Sequence, residues 1–207
     1  MKLGDIKVEA LKLMFADYVE NMSIENLKDI QEDANFAGIV AAMPGAINRC
    51  YSRLEDSKVI PLKQALLNKS QGVESKAGIR FNLVELLKDF GSIDRVICEN
   101  ENGYNGNYDY IMETESTILL PLQEEYTIVY SPIVNRVTNG TDNETEIDLP
   151  DKIASIIPYY IKGDLFREDE PAEAGEARNL FEGALELMQT KITQRQTKVK
   201  IVYSMEE

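Results

Sequence analysis

The 207-residue sequence contains no histidine, which removes the commonest general base, the imidazole of a serine triad and the usual zinc ligand together. Its two cysteines, Cys50 and Cys98, are too few for a thiolate metal site. Both stand in apolar contexts that predict reduced core residues rather than a disulfide. Neither a GxxxxGK loop followed by Ser or Thr nor a GxGxxG turn is present, so no segment is a candidate phosphate cradle. No apolar run reaches the ~18 residues of a membrane span. The first residues lack the basic-then-apolar order of a signal peptide, so synthesis and use in cytoplasm, with no membrane partner, are expected. Positive charge is also scarce: 22 Lys and Arg against 36 Asp and Glu leave a net charge of −14. That balance argues against a broad basic face and against tight nucleic-acid binding. It is compatible with DNA passing close by, because like charge keeps a polyanion from adhering. The expected catalytic, cofactor-binding and metal-binding residues are therefore none, and no enzyme activity is expected.

The carboxylate pair Glu113 and Glu115 could share one face of a strand, as acid–base chemistry would require, but it lies in an acidic run that reads as solvated surface. The segment around Gly103 has oxygen ligands close together, yet a calcium loop with that glycine at position six would put Cys98 at the first ligand position.

What is present is a soluble globular composition, 43% hydrophobic and 28% charged, in a chain long enough for one large or two small cores. The spacing of Ile6, Ala10, Leu13 and Met14, widened by Leu11, Phe15 and Tyr18, predicts a helix over residues 4–21 with a broad buried sector. Ser23 opens a short second helix. Phe36, Val40, Met43, Ile47, Cys50, Tyr51 and Leu54 predict a third, interrupted by Pro44 and Gly45. From Ile79 the period changes to two: Ile79, Phe81 and Leu83, then Tyr108, Tyr110 and Met112, then Tyr126, Ile128 and Tyr130 alternate with polar neighbours. Asn102-Gly103, Asn105-Gly106 and Asn139-Gly140 suit tight turns. The fold class expected is α+β, a helical bundle from both chain ends with an inserted antiparallel β-sandwich or barrel. Its boundaries are residues 1–60 for N-terminal helices, 61–146 for the β-rich module, 147–194 for C-terminal helices and 195–207 for an extended arm.

Residues 147–188 carry the densest pattern. Asp148 is a candidate N-cap with Pro150 in the first turn; Ile153, Ile156, Ile157, Tyr160, Ile161 and Leu165 share one face, leaving Lys152, Lys162 and Asp164 on the other. Pro158 predicts a kink or restart near Ser155. Asp169, Glu170 and Pro171 form an acidic joint that favours a new helix, whose stripe is Ala177, Leu180, Phe181, Ala184, Leu185, Met188 and Ile192. The ordered series Pro150, Pro158, Tyr159, Tyr160, Asp169-Glu170-Pro171, Leu180-Phe181 and Leu185 resembles the C-terminal segment of tailed-phage head–tail connector proteins, also called adaptor or tail tubular A proteins. The likeness covers about forty residues; elsewhere it is one of layout.

That resemblance implies a structural protein of the virion neck, assembled in the bacterial host cytoplasm. It implies self-association into a ring, by family habit dodecameric, that binds the portal protein on one side and the next tail component on the other. DNA would pass through the lumen without specific binding. The segment 191–200 reverses the charge, and Arg195, Lys198, Val199, Lys200, Ile201, Val202 and Tyr203 form a basic, β-prone end expected to reach the portal or a neighbouring subunit. Rival expectations are a head-completion or tail-terminator ring and, in another class, a monomeric acidic ligand-binding module or a histidine-free enzyme.

Overall fold

A computed structural model describes residues 1–15, 23–99, 105–107, 110–122 and 125–203, with backbone alone at 31, 98, 99, 105–107 and 192–203. The chain is α+β and divides into two compact units, residues 1–59 with 134–207 and residues 60–133.

The first unit is helical. α1 (Leu3–Met14) opens where the Asp5 carboxylate accepts the Lys2 amide at 2.8 Å. Its buried sector is broad, taking in Leu3, Ile6, Val8, Ala10, Leu11 and Met14. The expected extension through Tyr18 to residue 21 lies outside the described residues. α2 (Leu27–Glu32) follows Ser23, whose hydroxyl accepts the Asn26 amide. α3 (Ala37–Asp56) is one helix that runs through Pro44 and Gly45, the point at which the sequence predicts a bend. Val40, Met43, Ile47, Cys50, Tyr51 and Leu54 are buried on both sides of that point, so packing outweighs the single backbone bond that proline forfeits.

Residues 151–165 form two short helices, α5 (Asp151–Ala154) and α6 (Ile157–Leu165), with the restart at Ser155 and Ile156 and Pro158 in the first turn of α6. Proline is harmless there because first-turn amides have no intrahelical acceptor. Pro150, rather than Asp148, holds the N-cap position of α5, and its carbonyl accepts the Ile153 and Ala154 amides at 2.8 and 3.0 Å. α7 (Pro171–Tyr203) is a single 33-residue helix. α6 is the hub: α1, α3 and α7 all pack on it.

Three aromatic rings at helix ends pin this arrangement. Phe15 at the end of α1 meets Phe36, which precedes α3, and Phe166, which follows α6, edge to face at 4.9 and 5.6 Å. Residues 134–146, expected in the β-module, belong instead to the helical unit. Glu146 forms an isolated antiparallel bridge with Lys2, and side chains satisfy part of the backbone before it: the Asn48 amide bonds both the carbonyl and the N–H of Val137 at 2.8 and 2.9 Å, and Glu55 accepts the Val134 amide at 2.8 Å. Beyond them the Leu3 and Gly4 amides donate to the Thr145 and Asn143 carbonyls. The buried Lys7 ammonium reaches Asn143 Oδ1 at 2.8 Å, and burial pushes its pKa down.

The second unit holds two four-stranded antiparallel sheets. One has the order β1 (Lys63–Asn68), β8 (Glu125–Pro132), β4 (Phe90–Glu99), β5 (Asn105–Asn107); the other β2 (Val73–Ser75), β3 (Gly78–Asn82), β7 (Thr117–Leu120), β6 (Ile111–Met112). A single-turn helix, α4 (Leu83–Leu86), follows β3. Both sheets contribute to one apolar core, where Phe81 and Tyr126 meet edge to face at 5.8 Å. Alternation placed Ile79, Phe81, Tyr126 and Ile128 inward, as β3 and β8 do. Gly78 turns from β2 to β3 at φ 142°, and a Cβ there would overlap the Leu120 carbonyl, so no side chain fits.

Several turn and strand expectations change. Asn105-Gly106 lies within β5, paired with β4, and Asn139-Gly140 turns inside the helical unit. Asn102-Gly103 and Tyr108 lie outside the described residues. Residues 63–75, which lacked an alternating signal, supply β1 and β2.

Candidate interaction surface

Two of the family-motif residues, Tyr160 and Phe181, meet where α6 packs on α7. Phe181 and Leu185 are fully buried on the inner face of α7 with Ala174, Ala177 and Met188. Tyr160 is half-buried, and its ring meets that of Phe181 edge to face at 5.0 Å. Burial, then the neighbouring Asp164, raises the Tyr160 phenol pKa and keeps it neutral. Pro158 is buried and Tyr159 half-buried, while Pro150, Asp169, Glu170 and Pro171 stand exposed. At the joint the Glu170 amide donates to the Phe166 carbonyl and its own carbonyl accepts the Ala174 amide, both at 2.9 Å, which links the end of α6 to the start of α7. Pro171 is the first residue of α7, where a missing amide costs nothing.

Two placements differ from the sequence reading. Leu180, expected in the buried stripe, is 54% exposed. The inner stripe is filled by Ala174, Ala177, Phe181, Leu185 and Met188, and Leu180 falls outside that arc. Lys162, expected on the outer face, folds inward: its ammonium donates to the Leu13 carbonyl at 2.8 Å and to Glu173 at 2.6 Å and lies 5.9 Å from the Phe166 ring centre. A lysine stem packs on apolar surface while its head finds the open carbonyl at the end of α1 and the carboxylate in the first turn of α7.

Gly163 was not singled out in the sequence. It faces α7, and a Cβ there would lie 3.1 Å from the Ala174 carbonyl oxygen and 3.3 Å from the Arg178 amide nitrogen. A glycine inside a helix costs about 1 kcal/mol relative to alanine, and that cost was the available signal. Charged pairs on the rim complete the contact. Arg53 of α3 holds Glu182 of α7 through two bonds of 3.2 and 2.7 Å, and Arg49 holds Asp164 of α6. Cys50 is buried and free, and burial, then Glu182 and Asp164, pushes its thiol pKa well up, so it is a poor nucleophile. The Cys98 side chain lies outside the described residues.

The segment expected to be an extended arm is helical: α7 continues through Arg195, Lys198, Val199, Lys200, Ile201 and Val202 to Tyr203. After Pro171 no proline interrupts it, and its Lys, Gln and Arg residues extend an already nucleated helix more cheaply than they would leave it. The side chains of these residues are outside the description, as are residues 204–207.

In the β-unit the candidate carboxylates separate. Glu113 and Glu115 sit in the turn between β6 and β7, not on a strand. Glu113 is gripped by Arg80 through bonds of 2.6 and 2.9 Å, and that hydrogen bonding holds its carboxyl below the ordinary range. Asp89 accepts from Lys63 at 2.8 Å and from the Tyr130 hydroxyl at 2.9 Å. Burial alone would raise the Asp89 carboxyl, but those two hydrogen bonds outweigh it and the net shift is downward.

Among the described residues no group of three or more acidic or cysteine side chains could hold a metal ion, and no helix is long and apolar enough to cross a membrane. No protein-family model matches the chain, and no curated protein is similar to it.

Proposed function

We propose that the chain is a ring-forming connector subunit of a tailed bacteriophage, placed at the virion neck between the portal and the next tail component, where it continues the DNA channel. The observation that carries this reading is the ordered run from Pro150 through Pro158-Tyr159-Tyr160 and Asp169-Glu170-Pro171 to Phe181 and Leu185. The contact of the Tyr160 and Phe181 rings between α6 and α7, and the burial of Pro158 and Leu185 on those helices, support it. The net charge of −14 supports a conduit rather than a DNA-binding role, since a transported polyanion is not retained by an acidic wall. On this reading each subunit offers different faces to its two neighbours, as ring closure requires, and the protein acts by assembly without catalysis. The basic end of α7 is suited to gripping the portal or an adjacent subunit, and assembly takes place in the host cytoplasm.

The test is to mix the purified full chain with the portal protein of the virus that encodes it and image the product by electron microscopy. A ring seated beneath the portal, coaxial with its channel, is the expected product. Absence of any complex with the portal, together with absence of the polypeptide from purified particles, would overturn the reading.

A further inference from the structure

The outer face of α7 repeats itself about one point. Within the helical unit, Leu180 and Leu187 are the large apolar side chains left exposed among the described residues, at 54% and 66%. They are seven residues apart and therefore lie on one line of the helix, roughly 100° around from the buried stripe. Between them, Gly183 is exposed, and a Cβ built on it would meet nothing within 4 Å. This chain's own packing therefore gives no reason for a residue that weakens a helix interior. Farther out on the same line stand Glu176 and Lys191, both exposed and, among the described residues, neither joined in an ion pair.

Reversing the direction of the helix about the midpoint between Gly183 and Ala184 maps Leu180 onto Leu187 and Glu176 onto Lys191. We infer that the occupant of this face is a second copy of the chain, its α7 antiparallel to the first across a two-fold axis at Gly183 and Ala184. In that pairing Leu180 packs on the partner's Leu187 twice, and the small residues sit at the crossing where the backbones come closest. Glu176 meets the partner's Lys191 twice. Charge sets the direction, because a parallel pairing in register would oppose Glu176 to Glu176 and Lys191 to Lys191. The helix macrodipole does not account for the cation at this point, since its effect fades within the last turn and Lys191 stands three turns before Tyr203.

An isologous contact of this kind closes at two copies. It is therefore distinct from the head-to-tail contacts of a ring and describes the chain before ring assembly; it does not depend on the connector reading.

Sedimentation velocity on the full chain tests it through charge reversal. Glu176 and Lys191 are ~22 Å apart along one helix and cannot touch within a chain. Glu176→Lys and Lys191→Glu should each weaken dimerisation about tenfold, since each variant opposes like charges twice. An equimolar mixture of the two variants should recover wild-type dimerisation, because both pairs are then complementary. Leu187→Glu, at a solvent-facing position, should leave the circular dichroism spectrum unchanged and yield monomer. A monomeric wild type, a Leu187→Glu variant that still dimerises, or a mixture no tighter than its parts would overturn the inference. A wild type that forms rings with no dimer would overturn it too while leaving the connector reading standing; a dimer that never engages the portal would do the reverse.

Discussion

Gly163 of α6 lies against Ala174 of α7 without room for a side chain: a Cβ on the glycine would stand 3.1 Å from the Ala174 carbonyl oxygen, a backbone atom with little room to retreat. The family-motif rings of Tyr160 and Phe181 meet in the same helix–helix contact. Replacing Gly163 with valine should therefore force the helices apart and destabilise the helical unit by roughly 1–3 kcal/mol, the usual cost of overpacking. The measurement is the shift in denaturant midpoint, followed by far-ultraviolet circular dichroism, where the helices dominate the signal. An unchanged midpoint would show that the two helices have slack.

Leu180 and Phe181 are adjacent in sequence and opposite in environment, 54% and 0% exposed. Phe181→Ala should cost about 3–5 kcal/mol, the range for an aromatic ring removed from a packed interior. Leu180→Ala should change monomer stability by less than about 0.5 kcal/mol, as surface substitutions do. Denaturant unfolding of the two variants, each at a concentration low enough to keep the chain monomeric, separates them. Equal costs would mean that α7 is rotated about its axis.

The Asp89 carboxyl is held below its ordinary value of 3.8 by Lys63 and Tyr130, which overcome the opposing effect of burial. A depressed folded pKa means that the unfolded chain binds the proton more readily. The group's contribution to the β-unit is therefore fully present above 3.8 and is lost as pH falls through the lower folded value. Asp89→Asn should destabilise the β-unit at pH 7, and the gap between variant and wild type should close in strongly acid solution. Thermal unfolding of both across that range is the check; a gap independent of pH would assign the effect to hydrogen-bond geometry and not to charge.

Much of the secondary structure was legible because it is written in short-range periodicity. Tyr126 and Ile128 alternate as β8 requires, and Pro158 marks a helix restart because proline's covalent structure forbids an interior turn with its full set of bonds. The acidic joint at Asp169-Glu170-Pro171 announces α7 for similarly local reasons. The candidate surface was legible only in part. Phe181 and Leu185 were read as buried and are, but Leu180 was read into the same stripe, since a window of apolar residues does not say which of them a neighbour will cover.

By itself the sequence determined the α+β class, the helix restart at Pro158 and the opening of α7 at Pro171, and the acidic character of the whole, because each depends on residues within a few positions of one another or on a plain sum of charges. Tertiary structure alone decided that residues 134–146 join the helical unit through Asn48 and Glu55, that Lys162 turns inward to the end of α1, and that Gly163 admits α7 while Gly183 faces open space. Those outcomes depend on partners far along the chain, and the burial of a side chain belongs to the pair of surfaces that meet, a property no single stretch of sequence carries.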